Sequence, residues 1–315
     1  TITSFPNLSC ANFLRTAGAF APGWSPVIAL YRKRVSKLSV SRAYFYGRDG
    51  LLEARFEKQE SIVSRLLFPA SEERLAKLSP EERKMVLRFV CLQRQRTVST
   101  VEYLRRLKQV QVDFLSQKGA ALTSEEMTWF EKSQKETVFE AIELADESMS
   151  LLDDLELKFL LAPARATCAQ NDGRSFIISD SPVGTYNQWA ESHPVFSKRS
   201  GYKGLTAKGL QWFYPVSPGM TLCIFDPTTY EYGSKKTHIC RASRRDVGLL
   251  NQLQALHADA NVYYDPRYSS DEEVANLLAI RESHAPMREH HRTDWQSLDA
   301  ATRRLSTRYV AHDLI

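Results

Sequence analysis

Three stretches of this chain hold side chains whose types and spacing could do chemistry. Glu53 and Glu60 stand seven residues apart in a segment with helical periodicity, which places both carboxylates on one face, two turns apart. Paired carboxylates suit metal binding or acid–base work; the same pair also suits a solvated helix stripe. Gln93-Arg94-Gln95-Arg96 follows the apolar run Phe89-Val90-Cys91-Leu92. Polar groups directly after a buried run line a cleft or bridge helices. Arg96 could clamp a carboxylate or phosphate there, with Gln93 orienting it. Phe176-Ile177-Ile178 runs into Ser179-Asp180-Ser181-Pro182. A carboxylate at a strand end is held firmly where a substrate can reach it, and Ser179 adds a hydroxyl for substrate binding. The alternative is a turn in which Asp180 accepts backbone N–H groups ahead of Pro182.

The motifs of the common nucleotide, metalloprotease and serine-hydrolase sites are absent: the chain has no GxxxxGK[ST], GxGxxG, HExxH or GxSxG. His284, His290 and His291 cluster in a polar tail, but 284 to 290 or 291 is six or seven residues, not the three or four of two ligands on one helix face. They read as solvated, and His193 and His238 as structural histidines.

The elements that must position these groups can be read from cap chemistry and periodicity. Strand character covers residues 27–47, and helical periodicity begins at Leu51. Ser79-Pro80-Glu81-Glu82 and Thr123-Ser124-Glu125-Glu126 are capping boxes, the first opening a helix that runs or breaks before Ser116, the second a helix reaching about Leu161. Pro163 ends the second. Residues 164–242 then alternate short apolar runs with Gly, Pro, Asn and Asp, giving strands at 175–179, 211–214, 221–225 and 237–241. Ser243 opens another helix, 261–264 is a last strand, and Ser270 caps a C-terminal helix. The expectation is an α+β protein: a helical part (about 51–162) packed on a mostly antiparallel sheet formed largely by a strand-rich part (about 164–265). It forms one domain over 27–270, between an atypical segment 1–26 and a helical tail 271–315.

Composition narrows the function classes. With 315 residues, 43% hydrophobic and 25% charged, the chain is neither disordered nor of low complexity and needs no disulfide staple. No run approaches the ~18 apolar residues of a membrane span. Five cysteines, odd in number and without a CxxC pair, point to a reducing cytosol. The net charge of +5 is unevenly placed. Residues 124–158 hold eleven acids against three lysines, whereas residues 80–117 are strongly basic. Helices of opposite sign can pair with each other; the basic one could also meet nucleic acid or another anionic ligand, although it lacks interleaved aromatics.

The order of these motifs resembles a family catalogued as domain of unknown function 4238. Leu52-Glu53 with Glu60 is similar to its paired-glutamate helix, and Phe89 with Gln93 to Thr97 to its "fi-x-x-q-x-x-R-t" segment. Phe176 to Val183 is similar to its "FitSDxPV" strand, and Pro215-Val216-Ser217-Pro218 to its "PLSP" turn. Asp246-Val247 with Leu250-Asn251, ahead of Ala260 to Tyr263, resembles its "v-x-x-lN" helix. The resemblance covers about residues 27–265. It implies an α+β fold, an intracellular protein and no established activity, and it brings Asn251 into the candidate set as an orienting group. Glu53, Glu60 and Asp180 are then the carboxylates, Gln93 and Asn251 the orienting groups, and Arg96 and Ser179 the substrate contacts. That set suits a hydrolase acting on a phosphate-bearing or nucleic-acid substrate, with a divalent metal as the cofactor it would use and no metal ligand assigned. The alternative is a non-enzymatic module that binds nucleic acid or protein.

The family usually starts with His-His-x-x-Pro-x-x-x-Leu-Arg-x-Phe, which this chain lacks. Back-translation of residues 1–13, read with the last base of each codon joined to the next two, permits HHIIPKSLLRKF. The expectation is that residues 1 to about 25 are a frame-shifted version of that start. Sequencing the coding DNA is expected to find a compensating pair of insertions or deletions bracketing this stretch; an uninterrupted ancestral frame overturns the reading.

Overall fold

The computed structural model describes residues 51–68, 71–119, 122–163, 175–191, 204–259, 261–265 and 268–283. The strands expected within 27–47, the segment 1–26, His193 and the tail 284–315 with its three histidines lie outside these residues.

Helix α1 (Leu51–Leu67) turns Phe56, Glu60, Val63 and Leu67 inward, a four-three-four spacing that keeps one stripe buried. A short α2 (Glu72–Ala76) follows, capped by Ser71. The capping box at Ser79 and Glu82 opens α3 (Pro80–Gln95), with each residue's backbone N–H donating to the other's side chain. The basic helix then breaks. Arg96 closes α3, and Thr97, in extended backbone geometry, caps α4 (Val98–Gln117) by accepting from the Thr100 N–H. The Thr123–Glu126 box opens α5 (Ser124–Glu147).

The helix expected to reach Leu161 stops at Glu147. A single 3₁₀ turn (Ser148–Leu152) leads into strand β1 (Glu156–Leu161). Leu157 and Phe159 face one side of the sheet and Leu160 the other, so both faces of the strand are buried. Such a run carries no alternation, and periodicity alone does not separate it from a buried helical turn.

Strands β2 (Ile178–Ser179) and β7 (Val262–Tyr263) pair as a small antiparallel sheet. The main sheet adds β3 (Gly184–Tyr186), β4 (Gln211–Ser217), β5 (Met220–Phe225) and β6 (Ile239–Arg241) in the order β3-β4-β5-β1-β6. Its pairings are antiparallel except β1–β6, so the expected α+β architecture holds. A one-turn α6 (Gln188–Glu191) follows β3, the Ser243–Asp246 box opens α7 (Arg244–His257), and Ser270 with Glu273 caps α8 (Asp271–Ser283), which packs on α7.

Alternation along the strands divides the core in two. Trp212, Tyr214, Val216, Leu222, Ile224 and Phe159 face α1, α3 and α5, whereas Leu160, Phe213, Cys223 and Phe225 face α7. Each of these large side chains contributes about 1.5–3 kcal/mol by leaving water.

The segregated charges meet across the helices. α5 packs on both α3 and α4. Arg88 binds Asp146 at 2.7 Å, Lys84 binds Asp153 at 2.9 Å, and Lys108 binds Glu140 at 2.6 Å while also donating to the Ser133 carbonyl. Beyond Lys108 and Glu140 the two helices continue as a projecting hairpin. Most of its side chains are exposed, among them Leu115, Met127 and Trp129. No helix of the described residues is long and apolar enough to cross a membrane.

On the other side of the sheet a buried amide does the joining. Gln254 of α7 accepts from Ser179 through Oε1, and its Nε2 donates to the Pro182 carbonyl at 2.9 Å and lies 3.4 Å from the Phe213 carbonyl. The residue is 1% exposed, so no water replaces a lost bond. Gln254→Leu is expected to cost about 3 kcal/mol, seen as a lower urea midpoint with an unchanged m value.

Candidate functional site

The end of α3 is where three of the expected site residues gather. Glu60 lies on the buried stripe of α1 and Arg96 closes α3; Nη2 and Oε1 are 2.7 Å apart, and both side chains are 6% exposed. The Arg96 guanidinium also sits 5.2 Å over the ring of Phe56, one turn before Glu60. Gln93, one turn before Arg96, lies alongside the carboxylate and favours its ionised form. Burial outweighs both neighbours and raises the Glu60 carboxyl above its ordinary value of 4.5. Among the described residues Gln59 Oε1 is buried without a hydrogen-bond partner.

Arg94 points elsewhere. Its guanidinium stands 5.2 Å over the Trp212 ring, half-buried, and desolvation pulls its pKa down. Arg94 forms no ion pair with a carboxylate among the described residues, and the Trp212 Nε1 is buried without an acceptor. The Arg94 carbonyl accepts from the hydroxyls of Thr97 and Thr100 at 3.2 and 2.9 Å, which ties the end of α3 to the first turn of α4.

Asp180 reaches the same junction indirectly. It follows β2 and accepts from the backbone N–H of Asp259 at 2.7 Å, the N–H of Asn261 at 2.9 Å and the Asn261 side-chain amide at 3.2 Å. These N–H groups come from the loop after α7, remote in the chain, and not from the local turn ahead of Pro182. Asp259 in turn accepts the Ser99 N–H in the first turn of α4 at 3.3 Å. The Tyr263 hydroxyl, raised first by burial, is raised further by the Asp180 charge.

Asn251 and Ser179 lie under the small sheet. Asn251 Oδ1 accepts the Ile177 N–H at 3.0 Å and its Nδ2 donates to the Ser175 carbonyl at 2.9 Å. The Ser179 hydroxyl lies within hydrogen-bond reach of the Ser181 carbonyl and Gln254 Oε1. Both residues thus hold the 175–182 segment against α7. Glu53 is in the first turn of α1, about 10 Å along the axis from Glu60, and its side chain lies outside the described set.

The structure therefore brings Glu60, Gln93 and Arg96 into contact, links Asp180 to their junction through Asp259, and places Ser179 and Asn251 in a separate clamp. Among the described residues no group of three His, Cys, Asp or Glu side chains could hold a metal ion. Arg94, Trp212 and Asp259 were not singled out from the sequence. Arg94 stood inside the Gln-Arg-Gln-Arg segment, but nothing local marks which arginine meets a carboxylate.

The family described as "Protein of unknown function (DUF4238)" matches residues 29–268. The chain belongs to this family. The DUF4238 match runs from before α1 to just short of α8 and contains every residue of the candidate set. No curated protein and no solved structure matches the chain.

The Glu60–Arg96 pair makes a direct prediction for this DUF4238 chain. Glu60→Leu or Arg96→Met alone leaves one buried charge without its partner and is expected to cost about 3–5 kcal/mol, whereas the double variant recovers most of that loss. The pH sign follows from Glu60. Its folded pKa is raised, so the folded state binds the proton more tightly. Stability from this group is fully present below about pH 4.5, the ordinary value, and is lost as pH rises through the raised one. Chemical denaturation from pH 4 to 8 is expected to show that decline in the wild type and a flatter profile in the double variant.

Proposed function

We propose that the protein is a hydrolase of a phosphate-bearing substrate, working at the α3–α4 junction with Glu60 as its proton-transfer group. One observation carries the reading: a buried carboxylate with a raised pKa stands between the Arg96 guanidinium and the Gln93 amide. Environments that raise a carboxyl pKa are those that let it give and take protons nearer neutral pH. Arg96 holds the carboxylate in place, Gln93 orients the bound group, and Asp180 supports the loop beside α4 through Asp259. Ser179 and Asn251 serve this site by fixing the strand that carries Asp180. The setting is intracellular, in keeping with the free thiols of Cys91, Cys223 and Cys240.

A divalent metal finds little support in the described side chains. Glu60 is engaged by Arg96, and Asp180 already accepts three N–H groups. No step is therefore routed through a metal. The alternative, a nucleic-acid- or protein-binding module, draws less on the basic helices, because Lys84, Arg88 and Lys108 are paired with acids at and beyond α5. Its support comes from the projecting hairpin, where Trp129 is 69% exposed.

Release of p-nitrophenol from its phosphate mono- and diesters, with chelator and with added Mg or Mn, tests the reading. Turnover by the wild type and a loss of about 100-fold or more in a folded Glu60→Gln variant are expected. Equal turnover by that variant, or none by the wild type under any condition, overturns it.

A further inference from the structure

We propose that the outer face of α5 is a self-association surface, and that its occupant is α5 of a second copy of this chain, running antiparallel. The proposal does not depend on the hydrolase reading.

The stripe of α5 that turns into the protein holds Val138, Ala141, Ile142 and Ala145, all buried. The opposite side is a second continuous stripe. Glu125, Trp129, Lys132, Glu136, Phe139 and Glu143 follow one another at spacings of four, three, four, three and four, and all six are exposed. That spacing is the seam of a coiled coil. A helix face that meets only water carries polar side chains along such a line. Here it carries two aromatic rings. Trp129 is 69% exposed, well above every other exposed large apolar side chain of the described residues, and Phe139 is 42% exposed. An apolar surface of this kind rimmed by charges marks a contact site.

The order of charges along the stripe selects the partner. When two copies of a helix run antiparallel about a twofold axis, a residue before the midpoint faces the residue equally far beyond it on the other copy. With the midpoint at Gln134, Trp129 faces Phe139 of the second copy and Lys132 faces its Glu136, and the axis repeats both contacts. One choice of midpoint thus sets ring against ring and cation against carboxylate. A parallel pair in register would instead set Lys132 against Lys132 and Glu136 against Glu136. Within the single chain Lys132 meets Glu136 one turn away, a loose pair at 3.7 Å with side chains 71% and 52% exposed. The second copy can take over that pair without loss. Glu125 and Glu143 then face each other as like charges at the two ends, which keeps the seam short. A seam of this length buries less than about 1,200 Å², the small and transient class of interface, so a weak dimer is expected.

Sedimentation velocity of the full chain from about 1 to 300 µM, the range in which a weak interface fills, tests the proposal. The wild type is expected to pass from monomer to dimer as concentration rises. Trp129→Ala is expected to weaken the dimer about tenfold or more. Lys132→Glu and Glu136→Lys each set like charges across the seam, and each alone is expected to stay monomeric. Mixed in equal amounts, these two variants are expected to form a heterodimer, because every charge then meets its opposite. A contact confined to one chain gives no such rescue between chains. The three positions are exposed, so the melting temperatures of the variant monomers are expected to change little. A dimer indifferent to Trp129→Ala, or no rescue on mixing, overturns the antiparallel α5 pair. A wild type that stays monomeric throughout overturns the second copy as occupant and leaves the face to a different partner.

Discussion

The buried pair of Glu60 and Arg96 is the constraint on which the helical layer is arranged. Arg96 is the C-cap of α3, and Thr97 is already the N-cap of α4. Anchoring Arg96 to α1 fixes where the basic helix must stop. The extended geometry at Thr97 then turns the chain, and the hydroxyls of Thr97 and Thr100 cover the Arg94 carbonyl that the break would leave open. A pair of this kind adds little net stability compared with apolar side chains of the same volume. Its value is in specifying one packing of α1 on α3, because any slip strands two charges away from water. The Phe56 ring under Arg96 and the Gln93 amide beside Glu60 make that packing more exclusive still.

What could be read from the sequence followed the range of the interactions involved. The boxes at Ser79, Thr123 and Ser243 were legible because cap and partner sit three residues apart. Strands β4 and β5 were legible because an apolar run bounded by Pro, Gly and Asp leaves few alternatives. β1 was not: Glu156–Leu161 becomes a strand through pairing with β5 and β6, some sixty and eighty residues on. Glu60, Gln93 and Arg96, grouped by the order of their motifs, meet at the end of α3, and Asp180 reaches them only through Asp259. The division of labour between Arg94 and Arg96 was hidden, because it depends on which of two side chains, two residues apart, turns toward α1 and which toward the sheet. Asp259 was hidden for the same reason, its partners Asp180 and Ser99 being remote in the chain.

Charge shows the same lesson at a larger scale. A basic stretch of nearly forty residues invites a nucleic-acid reading, yet Lys84, Arg88 and Lys108 lie against α5 and the turn after it. Pairs at this exposure contribute little each. Together they offset part of the basic charge locally.

The projecting part of α4 and α5 has a consequence for how the protein opens. Its turns beyond Lys108 and Glu140 are held by each other and by water, not by the sheet. The work of separating them is therefore set by helix-to-helix pairing over a short length, well below the work of dismantling the layers around β4 and β5. Amide protons in the outer turns should exchange from a local opening that leaves the α3–α4 junction closed. The outer turns of α4 and α5 and the candidate site thus belong to different cooperative units.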